Sequence, residues 1–242
     1  MFTSLLPHQH GANYFAPIEG RLSTLAGVLR ARGYETAGFT SNLEAGYDNC
    51  LAYLDQHVGR LLDSLAASSQ WSNTVVAITS DHGEAFGEHG ALTHGTNLYR
   101  EVIHVPLIIF GPGIPRGLRI GAITRLEDLF PTFLDFAARG ALPFNQATLR
   151  RYWTPGFVPG SLDGLTVSEL GTASYRPAPS SLVTSEWHLI RDNAGRGELY
   201  DWRLDPLEKS DLARLPEHQT LIRNLEARLR LHKGFGPALA WA

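Results

Sequence analysis

The sequence predicts an α/β fold in which a mixed sheet is flanked by helices and followed by a small antiparallel C-terminal lobe. Two short apolar runs, at residues 74–79 and 105–110, indicate buried strands, because they are too short for helices and are largely hydrophobic. The first run is typical of a strand buried on both faces of a parallel sheet. Leucines spaced three or four apart between residues 47 and 65 indicate an amphipathic helix. From Leu182 onward, short alternating runs separated by turn residues are typical of antiparallel strands.

We divide the chain into three parts on this basis. Residues 1–140 form an α/β core. Residues 141–181 form a loop-rich connection, since this stretch is rich in Pro, Gly, Ser and Thr and shows weak periodicity. Residues 182–242 form a C-terminal lobe made of a β-hairpin and a helix.

Length, composition and charge favour a soluble globular protein and argue against nucleic-acid-binding and membrane-spanning proteins. The 242 residues suffice for one sizeable core, and 43% hydrophobic with 19% charged residues is typical of a soluble globular protein. A net charge of -3 argues against a nucleic-acid partner, and a single cysteine excludes an intrachain disulfide. No apolar run approaches the ~18 residues of a membrane helix, and the N-terminus does not resemble a signal peptide. The chain as written is therefore expected in the cytoplasm, or in the periplasm or outside the cell if an N-terminal segment is missing. Nothing in the pattern indicates an oligomeric state.

The first predicted elements are a helix over residues 23–33 and a short strand over residues 34–40. Ser23 can cap the helix, and Gly33 suits the position just after its end. A longer helix follows at residues 47–65. Cys50, near its start, has no neighbour in sequence that would activate a thiol, so we predict a structural role for it.

The later elements follow the same rules. Residues 128–138 predict a helix, with Asp128 as its cap and Pro131 in its first turn, where the missing N–H costs nothing. Three strands are predicted at residues 182–185, 186–192 and 197–202. A final amphipathic helix is predicted at residues 217–230.

The segment between the two apolar strands carries the residues with chemical potential. Three histidines fall within thirteen residues, together with acids and glycines that allow tight turns. Carboxylates and imidazoles are ligands of divalent metals, and a histidine can also hold or protonate an anionic substrate. The alternative is a solvated glycine-rich turn whose aspartate caps the next element. The candidate residues are Asp81, His82, Glu84, Glu88, His89 and His94.

The segments T-S-D-H-G-E at residues 79–84 and H-G-T-N-L-Y-R-E-V-I-H-V-P at residues 94–106 resemble the second metal-binding motif of the sulfatase family. Sulfatases are hydrolases of the alkaline phosphatase superfamily. The resemblance extends more loosely along the chain, as in E-L-Y-D-W-R-L-D-P-L-E-K-S-D-L-A near the C-terminus. It implies an alkaline phosphatase-like fold, sulfuric ester hydrolysis and a small-molecule sulfate or phosphate ester as the substrate.

The resemblance also implies roles for single residues. Asp81 and His82 match positions that complete the divalent-metal site of the family. Histidine at 82, where many members have asparagine, shifts the expected ion from Ca²⁺ towards Mn²⁺ or another transition metal. His94 matches a basic catalytic position that contacts the sulfate or phosphate and protonates the leaving oxygen; the alternative is a satisfied loop histidine. Glu84, Glu88 and His89 are expected either to support these residues or to lie at a solvated rim.

Other parts of the family pattern are missing. The sulfatase nucleophile is a formylglycine made within C/S-x-P-S-R, and this pentapeptide does not occur in the chain. Residues 1–13, which include His8 and His10, resemble a family stretch that follows the nucleophile and the first metal-binding acids. Where the family has a long insert, this chain has about seven residues, at 41–47. Compared with the family, the chain is thus expected to be truncated at its N-terminus and shortened internally.

Three hypotheses follow. The first is a sulfatase-family hydrolase in which much of the active-site half is absent from this chain. The second is a non-catalytic remnant or binding module of the same fold. The third is a phosphoester hydrolase of the same superfamily. Since Asp81 and His82 leave most of a shell of about six ligands to water, we expect weak metal binding and negligible turnover by this chain alone.

Overall fold

The computed structural model describes residues 25–34, 47–137, 148–156, 164–171, 178–192 and 194–234. The predicted strand at 34–40 and the residues Ser23, His8 and His10 lie outside these ranges, apart from Tyr34. The described α-helices are α1 Leu25–Ala31, α2 Tyr47–Ala66, α3 Arg100–Ile103, α4 Leu129–Ala137 and α5 Gln219–Gly234. The described strands are β1 Val76–Thr79, β2 Leu107–Phe110, β3 Leu165–Glu169, β4 Ser180–Thr184, β5 Trp187–Arg191 and β6 Gly197–Asp201.

The helices agree with the periodicity of the sequence. Helix α2 ends one residue beyond its predicted limit, and α4 and α5 overlap the predicted helices closely. Gly33, two residues after α1, has a φ of +84°, the left-handed conformation that glycine adopts at little cost after a helix. Cys50 is half-buried within α2. Among the described residues, no helix is both long enough and apolar enough to span a membrane.

Strands β1 and β2 pair with each other in the antiparallel sense, with Val76 opposite Phe110 and Thr79 opposite Leu107. For residues 74–79 we predicted a strand buried on both faces of a parallel sheet, and for β1 that prediction is wrong. All four residues of β1 are only half-buried, and Ile108 of β2 is 55% exposed. The polar segment therefore connects the end of β1 to the start of its own antiparallel neighbour.

The lobe contains a four-stranded antiparallel sheet in the order β3-β4-β5-β6. One face carries apolar side chains that pack on α5. This core comprises Leu165, Val167, Leu182, Leu189, Leu199, Ile222, Leu225 and Leu229. Burial of this continuous apolar face stabilises the lobe.

The opposite face of the same sheet is more polar, as the alternation of side chains along a strand requires. Cross-strand neighbours on this face include Thr166, Val183, His188 and Tyr200. Strand β3 lies inside the segment that we predicted to be a loop-rich connection, and β4 begins at Ser180. The sheet therefore starts earlier in the chain than the predicted lobe boundary at residue 182.

Candidate metal and anion site

The polar loop that follows β1 is held against α3 by its glycine. The backbone N–H of Gly83 donates to the carbonyl oxygen of Val102 at 2.7 Å. A Cβ at position 83 would overlap the carbonyl oxygen of Glu101, so only glycine allows this approach. The contact fixes the direction in which the preceding residues Asp81 and His82 leave the strand.

The side chains of Asp81 and His82 turn towards each other. Their Oδ2 and Nε2 atoms lie 3.7 Å apart, and the side chains are 78% and 43% exposed, respectively. The Nδ1 of His82 is 2.8 Å from the carbonyl oxygen of Gly83, which can only accept a hydrogen bond. The ring proton therefore lies on Nδ1, and the lone pair of a neutral ring lies on Nε2, beside the carboxylate.

The donor set fits a divalent ion in part. Metal–donor bonds of about 2.0–2.6 Å allow two donors at this separation to bind one ion. Among the residues that the structure describes, no group of three or more His, Cys, Asp or Glu side chains is placed to hold a metal. Asp81 and His82 can thus supply two ligands, and the remainder of a six-ligand shell must come from water, substrate or other residues.

His94 lies directly beside this pair. Its ring stacks on the ring of His82, with centroids 4.1 Å apart and planes inclined by 29°. Its Nδ1 donates to Glu84 Oε2 at 2.8 Å, which leaves Nε2 free of this contact. A carboxylate at Nδ1 orients an imidazole and compensates the charge of its protonated form. This arrangement suits contact with an anion or donation of a proton.

The pKa of Glu84 reflects the same contact. Partial burial by itself would raise the pKa of this carboxyl group, but the hydrogen bonds from His94 and from the Ala85 N–H outweigh burial. The net pKa lies below the ordinary value, so Glu84 is ionised at neutral pH and acts as an acceptor. Of the two roles expected for Glu84, the geometry favours support of His94.

Glu88 and His89 lie farther along the loop and do not join these side chains. Glu88 is exposed, and its carboxylate accepts from the Phe86 N–H at 2.6 Å. His89 has its Nδ1 at 2.8 Å from Glu101 Oε1 and its Nε2 at 2.9 Å from the carbonyl oxygen of Glu208. Its role is to connect the loop to the C-terminal lobe.

Asp81, His82 and His94 all line one cavity of about 840 Å³. Its remaining wall includes residues of the lobe that the sequence analysis did not single out. These are Thr166, Ser168, Val183, His188, Trp202 and Glu208. Each is remote in sequence from the metal motif. Val183 and His188 had only their position in predicted strands as a signal, and Thr166 and Ser168 lie in a strand that the sequence analysis did not predict.

A buried hydrogen bond between a histidine and a glutamate fixes this side of the cavity. His188 Nδ1 and Glu208 Oε1 are 2.6 Å apart, and both side chains are 1% exposed. The other carboxylate oxygen, Oε2, accepts from the backbone N–H of Arg100 at 2.9 Å. The Arg100 guanidinium lies over the ring of Trp202, 4.9 Å from its centroid. The pair therefore joins β5, the turn after β6 and α3.

Comparison with known proteins places these features in context. Residues 42–139 match the family model named Sulfatase. The choline-sulfatase of Rhizobium meliloti (strain 1021) is 32% identical over 174 residues, which are 69% of this chain and 32% of that protein. The chain spans about a third of the length of the curated relatives it matches.

Two solved structures agree with the fold. The structure of BT4656 in complex with its substrate D-glucosamine-2-N,6-O-disulfate is 26% identical in sequence, with a TM-score of 0.66, covering 76% of this chain and 39% of that one. The phosphonate monoester hydrolase SpPMH from Silicibacter pomeroyi is 25% identical, with a TM-score of 0.62, covering 75% and 38%.

Proposed function

This chain belongs to the sulfatase family of the alkaline phosphatase superfamily, with the alkaline phosphatase-like α/β fold, and from that premise we propose that it carries one side of a metal-dependent sulfuric ester hydrolase site. On this side Asp81 and His82 bind the divalent ion, and His94 contacts the ester. A small-molecule sulfate ester is the proposed substrate.

The observation that carries the proposal is the convergence of His82, His94 and Glu84. The ring of His82, a candidate metal ligand, stacks on the ring of His94, the candidate catalytic residue, at the edge of the cavity. The ionised carboxylate of Glu84 binds His94 at Nδ1. Hydrolysis of an anionic ester requires positively charged groups next to the ester oxygens and a proton for the leaving oxygen. This part of the chain can supply both.

Within this arrangement each residue has a distinct task. Asp81 and His82 would hold Mn²⁺ or Ca²⁺, and the bound ion would polarise the ester oxygens. His94, oriented by Glu84 at Nδ1, would in its doubly protonated form use Nε2–H to bind an ester oxygen and to pass that proton to the leaving oxygen, which departs as the alcohol. Sulfatases use a formylglycine nucleophile, and the C/S-x-P-S-R pentapeptide in which it forms does not occur in this sequence.

An assay with two substrates tests the proposal. The chain should be incubated with Mn²⁺ or Ca²⁺ and either 4-nitrophenyl sulfate or 4-nitrophenyl phosphate, and both turnover and binding should be measured. We expect metal-dependent binding of the sulfate ester, lost in Asp81→Ala, with negligible turnover. A matched variant, Asp63→Ala on the exposed face of α2, should bind as the wild type does. Turnover that depends on Asp81 would show that the chain contains a complete site.

A second candidate function is phosphate or phosphonate ester hydrolysis. The observation that favours it is the likeness of the fold to a phosphonate monoester hydrolase at 25% identity. Both ester types present anionic oxygens to a metal and a basic residue, so the described geometry serves either. Tighter binding of 4-nitrophenyl phosphate than of the sulfate would favour this second function.

A further inference from the structure

The polar face of the lobe sheet forms one wall of the cavity. Its residues are distant in sequence from the metal motif, but both line the same cavity. His188 lies in the middle of this wall, on β5, between Val183 of β4 and Tyr200 of β6. A histidine at the centre of a sheet is fully desolvated, so each of its ring nitrogens requires a partner.

One nitrogen of His188 has its partner in Glu208. The carboxylate accepts from Nδ1 at 2.6 Å and from the Arg100 N–H at 2.9 Å, so the ring is fixed in one orientation. The other nitrogen, Nε2, is buried and has no hydrogen-bond partner among the described residues. It is a polar atom in a rigid frame, in a residue that lines the cavity.

Asn97, in the loop between β1 and α3, likewise has one polar atom that is hydrogen-bonded and one that is not. Its Oδ1 accepts from the Tyr99 N–H at 3.2 Å, which sets the orientation of the amide. Its Nδ2 is buried without a hydrogen-bond partner among the residues that the structure describes, and Asn97 also lines the cavity. Both walls therefore contribute one fixed, unpartnered nitrogen.

The chemistry of these nitrogens selects a ligand group. The amide Nδ2 only donates, whereas Nε2 of His188 accepts when the ring is neutral and donates when it is protonated. A hydroxyl group can both donate and accept, so it satisfies either atom in either state of the ring. Thr166 and Ser168, on the same wall, add two further hydroxyls.

We propose that His188, braced by Glu208, is a specificity-determining residue that binds a hydroxyl group on the alcohol part of the ester, with Asn97 as its counterpart on the loop. The ligand is thus a hydroxyl-bearing ester, whereas a bare aryl ester leaves both nitrogens unpaired. The inference rests on the proposed function for the anionic end of the ligand, but it concerns a separate wall of the cavity.

Two substitutions of His188 separate the contribution of Nδ1 from that of Nε2. In His188→Asn, the side-chain amide can still donate to Glu208 in place of Nδ1 but has no group at the position of Nε2. In His188→Gln, the longer amide reaches towards the position of Nε2. Lys209→Ala, next to Glu208 and exposed, is the matched control.

The test is a titration of the whole chain, with Mn²⁺ present, against D-glucose 6-sulfate and 4-nitrophenyl sulfate. We expect His188→Asn to weaken D-glucose 6-sulfate binding roughly three- to tenfold, the effect of one lost hydrogen bond. It should leave 4-nitrophenyl sulfate binding unchanged, and His188→Gln should recover part of the loss. Equal effects on both ligands, no effect on either, or no binding of the sugar sulfate would overturn the inference.

A second measurement does not depend on the variants folding. The ring nitrogens of His188 in the wild-type chain can be followed by ¹⁵N NMR, and D-glucose 6-sulfate should shift Nε2 more than Nδ1. An unshifted Nε2 at saturating sugar sulfate would contradict the inference. Failure of the proposed function has a different signature: Asp81→Ala would leave 4-nitrophenyl sulfate binding intact while the effect of His188→Asn on the sugar sulfate remained.

Discussion

His89 Nε2 lies 2.9 Å from the carbonyl oxygen of Glu208, a residue 119 positions later in the chain. The contact joins the loop of the metal motif to the C-terminal lobe, and both residues adopt positive φ angles, +50° and +52°. Its other ring nitrogen faces Glu101 at 2.8 Å. Since both partners are acceptors, the ring satisfies both at once only when it is protonated.

Stability should depend on pH through His89. Burial by itself would lower the pKa of this ring, but the hydrogen bonds to the Glu208 carbonyl and to Glu101 outweigh burial, and the net pKa is raised above 6.5. A raised pKa in the folded state gives stability that is fully present below the unfolded-state value and lost as the pH rises through the folded-state value. Relative to His89→Gln, the wild type should therefore gain roughly 1–2 kcal/mol at acid pH.

Urea unfolding of wild type and His89→Gln between pH 5.5 and pH 8.5 measures this effect. The difference in free energy of unfolding should shrink as the pH rises. Gln56→Ala, on the exposed surface of α2, removes no titratable group; it is the control and should show no such trend. A difference that stays constant or grows with pH would mean that the ring is neutral in the fold.

Gly83 should be irreplaceable for a steric reason. In Gly83→Ala the new methyl group meets the Glu101 carbonyl and the backbone of Val102, neither of which can move alone. We expect a loss of roughly 2–3 kcal/mol in stability and weaker metal binding, both measurable by calorimetry. Gly59→Ala, where a Cβ meets nothing within 4 Å inside α2, should instead stabilise by about 0.5–1 kcal/mol. Equal effects of the two substitutions would show that the loop does not pack against α3.

The buried pair should be the most sensitive point of the lobe. Glu208→Ala leaves His188 Nδ1 and the Arg100 N–H without their acceptor, and the His188 side chain is only 1% exposed. Removing one partner of such a pair costs roughly 3–5 kcal/mol, which should appear as a much lower denaturation midpoint. Lys209→Ala, one residue along and exposed, should leave the midpoint unchanged. A mild effect of Glu208→Ala would mean that water reaches the pair.

Local features of this chain could be predicted from its sequence, and pairings between distant segments could not. Helix α2 was predicted to within one residue, because the spacing of its leucines is a property of the helix alone. The pairing of β1 with β2 was not, since an apolar run does not encode the direction of its partner. Strand β3 escaped notice because its five residues lie between Pro- and Gly-rich stretches.

In the candidate site too, the residues of one short segment could be predicted from the sequence, and the residues contributed by distant segments could not. Asp81, His82 and His94 stood out because their residue types cluster within one short segment, and the structure brings their rings and carboxylate together. His188 and Glu208 did not stand out, because a single histidine in a strand and a single acid in a turn are common. Only folding places them in the wall of the same cavity.

Support of His94 by Glu84 should be visible directly. In Glu84→Ala the acceptor at Nδ1 is lost, so the ring should become free to rotate and to exchange its proton between the two nitrogens. The ¹⁵N NMR signals of the His94 ring should move from a fixed Nδ1–H tautomer towards an average, while those of His82, held by the Gly83 carbonyl, should not. Glu88→Ala is the matched control on the same loop, and an identical His94 spectrum in Glu84→Ala would rule out the contact.

Titration of the whole chain with Mn²⁺ tests the central proposal most directly. We expect one weak site, with a dissociation constant on the order of 10⁻⁴–10⁻³ M, that is lost in both Asp81→Ala and His82→Ala and retained in Asp63→Ala. The same Mn²⁺ binding in Asp81→Ala as in the wild type, or no binding by the wild type at all, would contradict a metal site at the end of β1.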